Sequence, residues 1–171
     1  MEKELVFKKI TGEVVEDVEK YVKDWSKANP YGKVIIGCDS QVHSRRIKFS
    51  VVIVMHYIDK MHIGHGAHLL ICDIWEKRMN KSQVEEIPDK LYKEAMLALQ
   101  AAELVNGKDE FFKKRIEVHL DLNSIPESNF HENLSNKMYA SGLGLLSGYG
   151  YSVYGKPNSV IASNCCDHFC R

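Results

Sequence analysis

The sequence lacks long apolar runs and lacks an excess of charge of either sign. No apolar stretch approaches the about 18 residues that a transmembrane helix needs, so we expect no membrane span. The 23 acidic and 23 basic residues give a formal net charge of zero. Composition alone therefore does not indicate nucleic-acid binding, although a local basic patch would be sufficient for it. Internal repeats and low-complexity tracts are also absent.

A secretion signal and a disulfide framework are missing as well. The first residues, MEKELVFKKITGE, are charged and contain no apolar signal-peptide core. An odd number of cysteines without a signal peptide fits reduced thiols better than disulfide bonds. The five cysteines are Cys38, Cys72, Cys165, Cys166 and Cys170. We therefore expect a cytoplasmic protein that is not attached to a membrane.

Apolar residues are abundant enough for a real core. Of the 171 residues, 44% are hydrophobic, which predicts one folded domain over 1–171. Apolar residues at three- and four-residue spacing predict a helix over 12–28, with Thr11 or Gly12 as its cap. We interpret residues 1–30 as an N-terminal helical extension of that domain.

The stretch KVIIGCDSQ, residues 33–41, predicts the central strand. Its β-branched run is typical of a buried strand, and Asp39 follows where the strand leaves the core. A carboxylate there needs compensation, either by hydrogen bonds or by a cation. A lone aspartate at a strand end is usually structural, so a functional interpretation requires partners from elsewhere in the chain.

The remaining patterns predict a mixed five-stranded sheet flanked by helices. Three antiparallel strands come first, and alternating helices and strands follow. The polar segment QVHSRRIK, residues 41–48, is interpreted as a turn or loop. The predicted elements are strands over 33–39, 49–58 and 62–75, a helix over 90–105 starting near Pro88, a strand over 115–123, a helix over 131–147, a strand over 151–154 and a short helix over 160–171.

Acidic residues occur at corresponding places in several of these elements. The carboxyl ends of neighbouring strands form the usual ligand-binding edge of an α/β sheet. Several carboxylates meeting there would repel one another unless cations such as Mg²⁺ or Mn²⁺ were bound. Two such ions about 3.5–4 Å apart can support phosphodiester hydrolysis. The candidates are Asp39, Glu94, Asp121 and Asp167. Taken alone, Glu94 fits equally the rim of an amphipathic helix.

Four stretches give the chain a resemblance to a known family. They are IGCDSQ at 36–41, LYKEAMLALQAAELV at 91–105, EVHLDLN at 117–123 and KPNSVIASNCCDHF at 156–169. These stretches resemble the YkuK-like family of predicted ribonuclease H-like proteins. The resemblance implies a ribonuclease H-like fold and a Mg²⁺- or Mn²⁺-dependent nuclease activity. It also implies that Asp39, Glu94, Asp121 and Asp167 are catalytic and bind the metal, with Glu86 and Glu103 as alternatives to Glu94.

Contacts to an RNA or DNA substrate are predicted from polar residues near these acids. Ser40 could support a metal or substrate oxygen. Arg45, Arg46 and Lys48, together with Lys156, are candidate phosphate contacts. The alternative for the arginines is a solvated turn. No basic, aromatic-rich substrate handle is evident in the sequence.

Other functions stay open at this point. The tail CCDHFC could bind zinc through Cys165, Cys166, His168 and Cys170, or its cysteines could be small buried residues. His168 could instead relay protons. The histidines at 62, 65 and 68 could bind a transition metal or simply belong to one sheet. The whole chain could also be a non-catalytic ribonuclease H-like binding or scaffolding module, or a homo-oligomer formed through the third strand or the first helix.

Overall fold

A computed structural model describes residues 4–79, 82–123, 130–159 and 162–170. The strands are β1 (Lys8–Lys9), β2 (Lys33–His43), β3 (Arg46–Ile58), β4 (Gly64–Lys77), β5 (Ile116–Asn123) and β6 (Ser152–Lys156). The helices are α1 (Val18–Ala28), α2 (Gln83–Asn106), α3 (Glu110–Lys113), α4 (Phe130–Gly148) and α5 (Asp167–Cys170), and a π-helical turn (Ala162–Cys166) leads directly into α5. In the described part of the chain, no helix combines the length and apolar character needed to span a membrane.

The strands form one mixed sheet in the order β1-β4-β3-β2-β5-β6. β4, β3 and β2 are antiparallel, whereas β5 and β6 continue the sheet in parallel with β2. The predicted α/β architecture is therefore confirmed. The sheet has six strands rather than the predicted five because β1 pairs with the outer edge of β4. A strand of two residues is too short to show an alternating pattern in the sequence.

The central strand β2 is covered on both faces. Val34, Ile36 and Cys38 belong to the main core. Ile35 belongs to a second, smaller core that also contains Cys166. A strand buried on both sides has no polar face to expose, which explains the unbroken apolar run that predicted it.

The N-terminal helix begins later than predicted. Helix α1 starts at Val18, and the Asp17 side chain caps it by accepting the Lys20 amide hydrogen at 2.9 Å. The preceding residues reverse direction at Gly12, which has a φ of +90°. The Val15 amide then donates to the Phe7 carbonyl at 2.9 Å. The predicted cap at Thr11 or Gly12 is thus wrong, because Gly12 supplies a turn.

Two further boundaries differ from the sequence prediction. β2 and β3 extend through most of the segment 41–48, and only Ser44 and Arg45 remain as the turn. Helix α2 begins at Gln83, where Ser82 and Glu85 form a capping box. Pro88 therefore lies inside the helix, and the predicted helix start near Pro88 is wrong. The predicted terminal helix is replaced by the π-helical turn and α5, and residues 160–161 and 171 of that prediction lie outside the described residues.

Arg115 joins the beginning of β5 to the connection between α1 and β2. Its guanidinium donates to the carbonyls of Ser26, Asn29, Pro30 and Gly32 at 3.1, 3.0, 3.2 and 3.2 Å. Arg115→Lys keeps the charge but loses the planar fork. We expect a loss of about 2 kcal/mol in the free energy of unfolding, measured by urea denaturation. Lys114→Ala, an exposed neighbour, is the control, and equal stability of the two variants would contradict this role.

Candidate acidic centre

Two predicted aspartates lie side by side where β2 and β5 separate. The last pair in the parallel ladder is Cys38 with Leu120. Asp39 and Asp121 are the next residues of the two strands, which are about 4.8 Å apart in a sheet. Because they follow a matched pair, both side chains emerge on the same face. The end of the ladder therefore presents two carboxylates at the carboxyl edge of the sheet.

A third acid reaches this edge from the opposite face. Ser40 follows Asp39 in β2 and so points to the other side of the sheet. Its hydroxyl donates to the Glu94 carboxylate of α2 at 2.5 Å. Glu94 is only 4% exposed. The choice of Glu94 over Glu86 and Glu103 is consistent with these contacts, since Glu86 binds Arg78 at 2.9 Å and Glu103 accepts from Tyr151 at 2.5 Å.

The environment of these acids disfavours their charged forms. Burial, reinforced by the charge of Asp39, raises the pKa of Glu94 to about 8. Burial also raises the pKa of Asp39 to about 6, and the charges of Asp121 and Asp167 add to this effect. The Ser40 amide donates to Asp39 at 2.7 Å and partly offsets the increase in its pKa. The charges of Asp121 and Asp167 thus act on Asp39, and the charges of Asp39 and Asp121 act on Glu94.

Two lysines provide positive charge beside these acids. Lys156 Nζ lies 2.8 Å from Asp121 Oδ1. Lys90 Nζ donates to the Ser40 carbonyl at 3.3 Å, and its charge lowers the pKa of both Asp39 and Glu94. The sequence analysis named Lys156 as a phosphate contact but missed Lys90. The signal for Lys90 was its position one helical turn before Glu94.

The fourth acid is carried by the C-terminal helix, which is tied to β2 and β3. Lys48 donates to the Phe169 carbonyl, and His43 Nε2 lies 2.9 Å from the Cys170 carbonyl oxygen. The Cys170 thiol donates to the Asp39 carbonyl at 3.1 Å. These contacts hold α5, and with it Asp167, against the strand that carries Asp39.

A comparison with family models gives one match over nearly the whole chain. The model described as Ribonuclease H-like matches residues 13–171. The chain belongs to this ribonuclease H-like family. The resemblance to the YkuK-like proteins inferred from the four sequence stretches is therefore confirmed. Searches of curated proteins and of solved structures returned no match.

Whether this edge of the sheet fits a divalent cation depends on the donor atoms of its side chains, which are carboxylate oxygens. Oxygen donors that repel one another are the ligands that Mg²⁺ and Mn²⁺ prefer. Among the described residues, however, no three acidic, histidine or cysteine side chains are close enough together to enclose an ion. Side-chain rotation would have to bring the acids together, and Lys156 would have to leave Asp121. The donor set therefore fits a metal, while the present arrangement is open.

The alternative metal sites gain no support from the described residues. His65 lies 2.8 Å from Asp59, and His68 lies 2.9 Å from the Tyr21 hydroxyl. Burial raises the pKa of the Cys166 and Cys170 thiols, which disfavours the thiolate form that zinc binds. Cys166 and Cys170 are buried small residues, whereas Cys165 is only partly buried.

The predicted arginine contacts lie apart from the acids. Arg45 occupies the β2–β3 turn, and Arg46 begins β3; both are exposed. The Lys48 side chain is only 12% exposed and lies 3.1 Å from Asp73. In this arrangement the Lys48 ammonium group binds the α5 backbone and Asp73 rather than pointing into solvent, where a phosphate could reach it.

His119 is a buried residue that the sequence analysis did not single out. Neither of its ring nitrogens has a hydrogen-bond partner among the described residues, and a Glu117 carboxylate oxygen lies 3.7 Å from His119 Nε2. Alternation along β5 places His119 on the same face as Asp121. The sequence signal was the alternation in EVHLD, which marks His119 as facing the same way as the two acids.

Proposed function

We propose that this ribonuclease H-like protein is a Mg²⁺- or Mn²⁺-dependent nuclease that hydrolyses phosphodiester bonds of RNA or DNA. The observation that carries the proposal is that a buried acid, Glu94, and a partly buried acid, Asp39, both have raised pKa values at this edge of the sheet. Glu94 has a pKa raised to about 8, and Asp39 has a pKa raised to about 6. Strongly perturbed acids that meet at a ligand-binding edge are candidates for a functional site.

The burial of these carboxylates is not explained by a contribution to folding stability. A buried carboxylate costs free energy that an apolar residue of similar size would avoid. Ser40 satisfies one oxygen of Glu94, but it does not remove the repulsion from Asp39. A divalent cation would relieve both the burial cost and the repulsion, which supports metal binding at this edge.

Each residue has a specific part in the proposed site. Asp39 and Asp121 would hold the metal from one face of the sheet, and Glu94 and Asp167 would complete the oxygen donors. When bound, the metal activates water and stabilises the leaving oxygen of a phosphodiester. Ser40 keeps the Glu94 carboxylate oriented toward the edge. Lys156, on release from Asp121, would contact a substrate phosphate.

Incubation with end-labelled oligonucleotides tests the activity. Single-stranded RNA, single-stranded DNA and an RNA–DNA hybrid would each be incubated with Mn²⁺, with Mg²⁺ or with EDTA and resolved on denaturing gels. We expect cleavage of at least one substrate with a divalent metal and none with EDTA. Absence of cleavage of every substrate, together with no Mn²⁺-induced rise in melting temperature, would contradict the proposal.

One observation favours the second candidate, a non-catalytic binding or scaffolding module. Lys156 already lies 2.8 Å from Asp121 and supplies a positive charge that a metal would otherwise supply. In such a module the lysines would be permanent partners of the acids. Isothermal titration with Mn²⁺ separates the two functions, since the module would take up no metal at this edge and the nuclease would.

A further inference from the structure

An exposed tryptophan on β4 is surrounded by positive charge. Trp75 is 39% exposed. The Arg46 guanidinium carbon lies 4.6 Å from the centroid of its ring, and the His43 ring centroid lies 5.3 Å from it. Arg45 in the adjoining β2–β3 turn and Lys77, two residues along β4, are also exposed. We refer to Arg45, Arg46, Trp75 and Lys77 as the cation–aromatic patch.

The positive charges of the patch are not neutralised by neighbouring described residues. Arg46 and Lys77 lie directly opposite each other in the antiparallel ladder. Like charges at such a position destabilise the sheet unless an anion is bound. Of the described carboxylates nearby, Asp73, Glu76 and Glu86 pair with Lys48, Lys93 and Arg78, and Asp89 lines the surface beside Lys77. The patch is therefore electrostatically suited to a polyanion.

The patch lies on the same face of the sheet as Asp39. The ladders place Asp39 opposite Ser50 and Ser50 opposite Asp73. Trp75 is two residues beyond Asp73 and so points to the same face. Two strand spacings and two residues of rise correspond to about 12 Å, a length that three to four stacked nucleotides span at about 3.4 Å each.

We propose that the cation–aromatic patch binds single-stranded nucleic acid, with a base stacked on Trp75 or on the Arg46 guanidinium and phosphates held by Arg45 and Lys77. This inference names the substrate of the proposed nuclease and rests on that function for its purpose, but binding itself needs no catalysis. An exposed ring between cations is suited to an unpaired base, since paired bases cannot reach it. The patch was not predicted from the sequence, because Arg46 and Trp75 are brought together only by the register between β3 and β4.

The test is fluorescence anisotropy with a fluorescein-labelled 12-nucleotide single strand of mixed sequence, measured in EDTA. We expect Trp75→Ala to weaken binding roughly 5- to 160-fold and Trp75→Phe to weaken it less, because stacking on one base contributes about 1–3 kcal/mol. The double variant Arg45→Ala/Lys77→Ala, which removes the two proposed phosphate contacts, should lower the slope of log affinity against log salt by about 1.4. Circular dichroism of each variant checks that it is folded.

The matched control removes two exposed lysines away from the patch, Lys60→Ala/Lys114→Ala, and should bind as the wild type does. Equal affinity of the wild type and all patch variants would overturn the inference. The same assay is repeated with a duplex of the same sequence and with unlabelled polyglutamate as a competitor. Equally tight binding of that duplex, or competition by polyglutamate equal to that of the unlabelled single strand, would also overturn the inference. Because EDTA prevents metal-dependent cleavage, Trp75-dependent binding without any cleavage in Mn²⁺ would support the patch while contradicting the nuclease.

Discussion

Asp39→Asn is expected to reduce Mn²⁺-dependent cleavage by about a thousandfold or more, because metal ions contribute several kcal/mol of transition-state stabilisation and each factor of ten corresponds to about 1.36 kcal/mol. The asparagine has nearly the same shape but offers a neutral, weaker ligand. The substitution also removes a partly buried carboxylate whose pKa is raised. The melting temperature of the metal-free protein at pH 8 should therefore increase. Gel assays and thermal denaturation measure the two effects on the same preparation.

The opposite direction of these two effects makes the result interpretable. A variant that loses activity by misfolding would melt at a lower temperature, whereas loss of a metal ligand leaves it more stable. Asp24→Asn is a matched control on the exposed face of α1, where the aspartate pairs only with lysines. Wild-type activity in Asp39→Asn would remove Asp39 from the site.

The metal-free protein is expected to lose stability as the pH rises from about 5 to about 9. The pKa of Glu94 is raised from 4.5 to about 8 in the folded protein. Between these values the folded state binds more protons than the unfolded state, so the free energy of unfolding falls with increasing pH. The total loss is on the order of a few kcal/mol, because each unit of pKa difference corresponds to about 1.36 kcal/mol. Asp39 contributes in the same direction at lower pH, as its pKa is raised from 3.8 to about 6.

Glu94→Gln should flatten this decline, since the amide oxygen can still accept from Ser40 and carries no charge. Saturating Mn²⁺ should raise the melting temperature of the wild type at pH 8 and have little effect at pH 5, where protons compete for the same oxygens. Urea denaturation at five pH values measures the decline in stability, and thermal denaturation with and without Mn²⁺ at pH 5 and pH 8 measures the effect of the metal. A wild-type stability that is constant or increases over this range would contradict the assignment of Glu94 as a buried, destabilised acid.

The sequence predicted the parts of the fold that depend on local pattern. The apolar run of β2 and the alternating pattern of β5 predicted the two strands, and the aspartate near the end of each strand predicted the acidic edge. The parallel register from Val34–Ile116 to Cys38–Leu120 then places Asp39 beside Asp121. This placement follows from the sheet topology, and the predicted order of strands and helices was sufficient to indicate that topology.

The parts that the sequence did not predict depend on contacts between distant residues. The reversal at Gly12 is decided by hydrogen bonds to the edge of the sheet rather than by helical periodicity. Lys90 was hidden because its partner, the Ser40 carbonyl, lies 50 residues away. The open arrangement of the acids was also unforeseen, since spacing gives no information on side-chain rotamers.

The thiols beside the acidic centre differ from exposed thiols in how readily they are oxidised. Cys38 and Cys166 are buried, and burial raises the pKa of both. Peroxides attack the thiolate form, which these cysteines do not adopt at neutral pH. We therefore expect the Cys38 and Cys166 sulfur atoms to resist oxidation, because the desolvation that disfavours charge on Glu94 also disfavours their thiolate forms.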